Sequence, residues 1–315
     1  MRAFLKTVLI ILPIISFSEC KKEVPPTVPF LNIKLVTAGG MICYGTISND
    51  GGASIIERGF KWKTEKENDY QNSKKVLDNG TNSFETVITG LSPNTTYFVK
   101  AYAANIEGKG YSEEKVITTL RNGTFIDNRD WRTYKWVEMG NQIWMAENLS
   151  YIPFVSSFLD DYGIFVYNYI GSSVDEAIKT AEFDTYGCLY SLDISLDVCP
   201  DGWHLPSQEE WDELGIFLGK TNQANLLRDT GWGDRYANNL TLFSAQPAGY
   251  HFHEYNPYTN LDTYFWYLGN STFFWSSSIR FDNALAPGLD SYHKEIIYTT
   301  YSKEYGLSVR CIKDN

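Results

Sequence analysis

The chain has 315 residues and a formal net charge of -11. At roughly 100–200 residues per domain this length predicts two domains plus shorter extras, and the acidic balance argues against nucleic acid, whose phosphates need a basic face. Hydrophobic residues make up 43% of the chain, enough for a packed core throughout, and aromatics are heavy, with 22 Tyr, 18 Phe and 9 Trp. That composition suits pleated sheet, and it also suits surfaces that stack on flat partners such as sugars.

Residues 1–20 read as a signal peptide outside the fold. Arg2 and Lys6 give a basic start, "TVLIILPII" follows, and small and polar residues lead to Cys20. The apolar run is far shorter than the roughly 20 residues that cross a bilayer, which is the pattern of a secretory leader. A cysteine directly after the apolar run resembles a bacterial lipobox, although Glu19 stands where that motif usually has a small residue. The resemblance implies that Cys20 is acylated and becomes the mature N-terminus; ordinary cleavage that removes Cys20 is the alternative. Two or more acyl chains would give a stable anchor, so the expected location is exported and membrane-anchored, at the outer membrane or cell surface. No other segment reads as membrane-crossing. Residues 21–29, "KKEVPPTVP", read as an extended tether.

From 30 to 120 the chain reads as an all-β sandwich of short strands and turns. "GGMICYGTI" runs into "SNDGGA", a turn cluster, and "RGFKWKT" places Phe60 and Trp62 on one face. In "TYFVKAYAANIEG" the residues Tyr97, Val99, Ala101 and Ala103 share a face. About seven strands in about 90 residues is sandwich spacing. "GLSPNTTYFVKAYA", with Leu91, Pro93, Thr95 and Tyr97, is similar to the corresponding run of a fibronectin type III domain, and "NDGGASIIERGFKW" adds to the likeness. The resemblance implies a spacer, with Tyr97 as a tyrosine corner whose hydroxyl bonds backbone a few residues upstream. Cys43, in an alternating strand, reads as a small buried hydrophobe.

A second domain is expected over 121–315, after the joint "LRNG". "TYKWVEM" and "QIWMAENL" read as antiparallel strands around a Gly140–Asn141 turn. Ser173 and Glu176 have the spacing of a capping box, with Val174, Ala177, Ile178 and Ala181 as one helical stripe. "CPDGWHLPSQEEW", Cys199 to Trp211, concentrates residues that bind metals and move protons. Ser207 and Glu210 read as another capping box, with Trp211, Leu214, Phe217 and Leu218 facing the core and Gly219 ending the helix. Pro206 between His204 and the glutamates, and a Glu210 side chain turned backward, are expected to keep them from converging. His204 then reads as a packed, hydrogen-bonded histidine.

"TYKWVEMGNQIWMAENL", "YGCLYSL", "CPDGWHLPSQEEWDEL", "FSAQPAGYH", "FFWSSS" and "YGLSVRCIKD" occur in this order. Together they resemble the Fibrobacter succinogenes major paralogous domain, a module of bacterial surface lipoproteins. That family is more distantly similar to the C-type-lectin-like fold of formylglycine-generating enzymes, whose helix start matches "LPSQEEW". The resemblance implies an α+β domain, a helix on a twisted antiparallel sheet. The enzymatic relatives bind copper through a close, late cysteine pair; here Ser276, Ser277 and Ser278 stand near that place, and Cys311 is the one late cysteine. The departure argues against catalysis and leaves no cofactor expected. In an exported protein a structural disulfide is expected among Cys188, Cys199 and Cys311. The family-like motifs favour Cys199–Cys311, with Cys188–Cys199 as the rival.

Other motifs are weaker. His251 and His253 in "GYHFHEY" are two ligand types, short of a zinc site, and the Asp160–Asp161 and Asp282–Asn283 pairs lack the alternating carboxylates of a calcium loop. No metal is therefore expected. The run His251–Trp275 sets Tyr255, Tyr258, Tyr264 and Trp266 among Asn and Asp, a composition able to stack on and hydrogen-bond a sugar. The expected function is a non-catalytic surface binding module for glycan or a surface protein. The alternative is a structural or assembly subunit of an appendage or envelope complex.

Overall fold

The computed structural model describes residues 22–28, 30–76, 83–233, 236–256, 261–281 and 283–314, and for residues 71–76, 253–256 and 261–263 it describes the backbone. Cys20 and Tyr258 lie outside the described residues, as does Asp282. The described part is mostly β, with few helices.

Eight strands come first: β1 (Phe30–Val36), β2 (Gly40–Thr46), β3 (Glu57–Thr64), β4 (Gln71–Val76), β5 (Phe84–Thr89), β6 (Thr96–Asn105), β7 (Gly108–Tyr111) and β8 (Lys115–Thr118). They form two antiparallel sheets, β1-β2-β5 and β4-β3-β6-β7, with β8 also paired to β6. The alternation of β6 is the cause of the packing. Tyr97, Val99, Ala101 and Ala103 point inward and meet Phe60, Met41 and Ile88 in one buried cluster. The Tyr97 hydroxyl accepts from the Ser92 amide at 2.9 Å. This bond and the strand order are the arrangement that a fibronectin type III-like sandwich requires. Cys43 is buried, and burial pushes its thiol up to about 12, so it is unreactive at neutral pH.

The remainder runs β9 (Asn122–Ile126), β10 (Thr133–Met139), β11 (Gln142–Met145), β12 (Ile164–Phe165), α1 (Val174–Ala177), α2 (Ala181–Tyr186), β13 (Leu189–Tyr190), α3 (Leu192–Ser195), β14 (Trp203–His204) and α4 (Gln208–Leu218). Then come α5 (Gln223–Leu227), β15 (Tyr250–Asn256), β16 (Leu261–Trp266), β17 (Ser271–Phe273), β18 (Ile279–Arg280), β19 (Asn283–Asp290), β20 (Ile297–Ser302) and β21 (Ile312–Lys313). The main sheet has the order β14-β21-β11-β10-β9. A second sheet runs β17-β19-β18, with β20 on β19, and β15 pairs with β16 alone. The tight β10–β11 turn has Gly140 at φ +63, a conformation that costs glycine little.

Helix α4 buries Trp211, Leu214 and Leu218. Trp211 lies 4.7 Å from Trp144 and stacks on Phe274 at 5.6 Å between ring centroids. Burying one such aromatic is worth about 3 kcal/mol, so this face fixes the helix against the sheet. A neighbouring cluster holds Tyr134, Tyr190, Trp275 and Cys188. Burial likewise pushes the Cys188 thiol up to about 12.

One expected helix is broken in two. Ser173 makes no side-chain cap bond; instead the Tyr169 hydroxyl takes the Ser173 amide at 3.1 Å and lies 2.9 Å from the Ser173 carbonyl. Thr180 then starts α2 by accepting from the Phe183 amide at 3.2 Å. The tyrosine four residues upstream thus takes the Ser173 amide that a capping box would give to the Glu176 side chain, which the serine–glutamate spacing does not register.

The sandwich and the second half share a seam. Leu35 and Ala38 belong to the same buried cluster as Trp144, Trp211, Leu226 and Leu240. The Gly39 amide donates to the Leu240 carbonyl at 3.2 Å, and Thr37 Oγ1 donates to the same carbonyl. A Cβ on Gly40 would lie 2.4 Å from Leu240 Cδ1 and 2.0 Å from the Ile88 carbonyl oxygen, so the close approach needs glycine.

Candidate functional site

Cys199 and Cys311 form a disulfide with Cα atoms 5.9 Å apart, closing a separation of 112 residues. Cys188 stays free and buried. Five residues on, β14 pairs with β21, His204 opposite Ile312. Ser207 caps α4 by accepting from the Glu210 amide at 3.2 Å, and Glu210 Oε2 accepts from the Ser207 amide at 2.8 Å. This is the expected capping box. The expectation that Pro206 keeps His204 from Glu210 is overturned: His204 Nε2 is 2.9 Å from Glu210 Oε1, and Nδ1 is 2.6 Å from Asp314 Oδ1. The backward turn of Glu210 that completes the cap also delivers its second oxygen to the histidine. The His204 side chain is 43% exposed, so it is bonded but not packed. Partial burial pulls its pKa down, but its hydrogen bonds to the Glu210 and Asp314 carboxylates outweigh that, and the net shift is upward. Both ring nitrogens are occupied by carboxylates, so the imidazole presents no lone pair to a metal. Among the described residues no group of three or more His, Cys, Asp or Glu is placed to hold one.

The serine run is packed. Ser276 is buried and donates to the Leu285 carbonyl at 2.8 Å, while Ser278 Oγ accepts from the Gln208 amide at 2.8 Å. It braces the start of α4, and among the described residues no histidine or carboxylate hydrogen-bonds to it. His251 is buried, stacked on Phe165 at 3.7 Å, with Nε2 3.0 Å from the Phe158 carbonyl. That removes it from any two-histidine site with His253, whose side chain lies outside the described set.

The aromatic segment is organised differently from its sequence appearance. Tyr255 is described along the backbone of β15, and Tyr258 not at all. Tyr264 meets Phe158 edge-on at 4.6 Å, and Trp266 Nε1 donates to the Phe252 carbonyl at 3.0 Å. The larger feature is a plate centred on Tyr250. Its ring lies 5.7 Å from Tyr267, 6.1 Å from Phe273, 5.6 Å from Tyr301 and 5.4 Å from Tyr305. Phe252 stacks on Tyr305 at 4.1 Å with 7° between planes. Tyr267 is 57% exposed, and the other five rings are half-buried. Partial burial, then the surrounding tyrosines, hold the Tyr301 hydroxyl above the ordinary tyrosine range, so that hydroxyl stays neutral at physiological pH. The alternation of "GYHFH" places Tyr250 and Phe252 on one face of β15, a signal the sequence does carry. Nothing local joins them to Tyr301 and Tyr305, some fifty residues away.

A mostly β chain, with a sandwich leading into a disulfide-closed sheet module, is the class these observations define. The sequence profile of the Fibrobacter succinogenes major domain matches residues 137–313, more than half of the chain, and the chain belongs to that family. No curated protein matches it. Among solved structures, the sixth fibronectin type III domain of human fibronectin type III domain containing protein 3 is 23% identical, with 31% of this chain and 88% of that one covered and a TM-score of 0.26. Titin domains A168–A170 are 17% identical, with 30% of this chain covered and a TM-score of 0.27; the match spans 32% of the titin fragment. The sandwich assignment rests on strand order and the Tyr97 bond rather than on these likenesses.

Proposed function

We propose that the chain is a non-catalytic surface lipoprotein that binds glycan. In this reading Cys20 carries the lipid anchor and the sandwich is a spacer. The module after it is an α+β domain of C-type-lectin-like type, and it presents the binding face. The plate of Tyr250, Phe252, Tyr267, Phe273, Tyr301 and Tyr305 is the observation that carries the reading. Clustered rings that are apolar on one side and wet on the other are the surface on which a sugar's C–H face stacks.

A glycan array probed with the full chain tests it. Binding is expected, and Tyr267→Ala and Tyr305→Ala should each weaken it about tenfold, the scale of one lost aromatic contact. An array with no hits, or hits unaffected by both changes, sinks the glycan reading. Stoichiometric co-purification with envelope proteins from native membranes would then favour an assembly subunit.

A further inference from the structure

Helix α4 has two faces. One carries Trp211, Leu214 and Leu218 into the core. On the other, near the C-terminal end, Ile216 stands 80% exposed. A single exposed isoleucine is ordinary, but its surroundings are not. Three open cavities border it. One of about 680 Å³ is shared with Ile42, Val87 and Phe217, one of about 280 Å³ with Met139 and Phe217, and one of about 420 Å³ with Gly215, Gln223 and Tyr298. Phe217 is half-buried and Tyr298 is 40% exposed. A protruding apolar side chain and hollows able to receive one thus lie side by side on the same surface.

The charges around Ile216 are arranged about it. Asp212 lies four residues before it and Lys220 four residues after, and all three line the 420 Å³ cavity. Both charged side chains are exposed. Neither is in an ion pair among the described residues. The Tyr298 hydroxyl lies beside Asp212, but a phenol leaves the carboxylate's charge in place. Along the helix axis the patch therefore runs acid, apolar, base.

We propose that this face pairs with the same face of a second copy of the chain, the two α4 helices running antiparallel and crossing at Ile216. A two-fold interface must be complementary to itself. This one is so in shape, because each Ile216 can enter a hollow beside the other. It is also so in charge, because the antiparallel crossing sets each Asp212 opposite the Lys220 of the second copy. Glu213, three residues before Ile216, then faces Gly219, three residues after, and meets no like charge. The pair carries two ring plates, and two linked sites raise avidity without any new contact. That consequence rests on the glycan reading, whereas the pairing does not.

Sedimentation velocity on the full chain, from about 3 to about 300 µM, tests the pairing. A reversible dimer is expected, weak because the patch is small. Ile216→Lys should weaken it at least about tenfold. The melting temperature of that variant should hold, because the side chain lies outside the core. Asp212→Lys and Lys220→Asp each set like charges opposite one another, and each should weaken self-pairing about tenfold. Mixing these two variants should restore pairing, since each supplies the charge that the other lacks. A monomer throughout the range overturns the proposal, whether or not another protein binds the face. So does a dimer indifferent to Ile216→Lys, or a mixture of the two charge variants that pairs no more tightly than either alone.

Discussion

His204 shows how one side chain can carry two structural duties and still look catalytic in sequence. Glu210 bonds both the Ser207 amide and the imidazole, and Asp314 holds the other ring nitrogen. Its folded pKa is raised. A raised value means that the stabilising contribution is complete below the unfolded pKa and is lost as pH rises through the folded one. The melting-temperature deficit of His204→Gln should therefore be larger at about pH 6 than at about pH 9, measured by scanning calorimetry at both. An equal deficit would mean the charge does no work. In the sandwich, the Tyr97 hydroxyl bond to Ser92 predicts that Tyr97→Phe costs about 1 kcal/mol in denaturant titration. Both residues were legible as structural, but the convergence of His204 with Glu210 was not. Sequence separation suggested that Pro206 would divide them, whereas the cap geometry folds the glutamate back across it.

The elements divide by how local their causes are. Helix α4 could be read whole, because its cap, its apolar stripe and its terminating Gly219 lie within thirteen residues of one another. Helices α1 and α2 could not: Tyr169, outside the expected cap, takes the Ser173 amide that Glu176 was expected to hold, and Thr180 caps a second helix. The disulfide was legible through the motifs that hold its two cysteines, since spacing alone allows Cys188–Cys199 equally. Closing a loop of this length contributes about 4–5 kcal/mol in the chain-entropy model. The Cys199→Ser/Cys311→Ser double variant should lose about that much in urea titration, with a loss under about 1 kcal/mol counting against a structural bond. The aromatic plate lies at the far end of this scale. It draws rings from β15, β17, β20 and the turns beside them, and the pairing of β17 and β20 with β19, with the bridges from Gly249 to Thr272 and from His251 to Gly306, brings those segments together. No window of sequence contains that pairing.

At the scale of the molecule the seam matters most. Leu35 and Ala38 enter the core of the second half, and Leu240 sits against Gly39 and Gly40. Shared core predicts coupled unfolding, seen as one calorimetric transition. Leu240→Ala should cost about 2–5 kcal/mol and split that transition in two; two transitions already present in the unaltered chain would refute the coupling. The sheet order carries a different consequence. Strand β21, which holds residue 313, lies between β14 and β11, in the interior of the main sheet rather than at its edge. A chain delivered N-terminus first can complete its sandwich once residue 118 is out, but the main sheet stays split until nearly two hundred further residues have followed. The domain thus keeps time with its own delivery. It cannot close halfway through a narrow exit, because its main sheet and its disulfide both wait for the segment that holds Cys311 and β21.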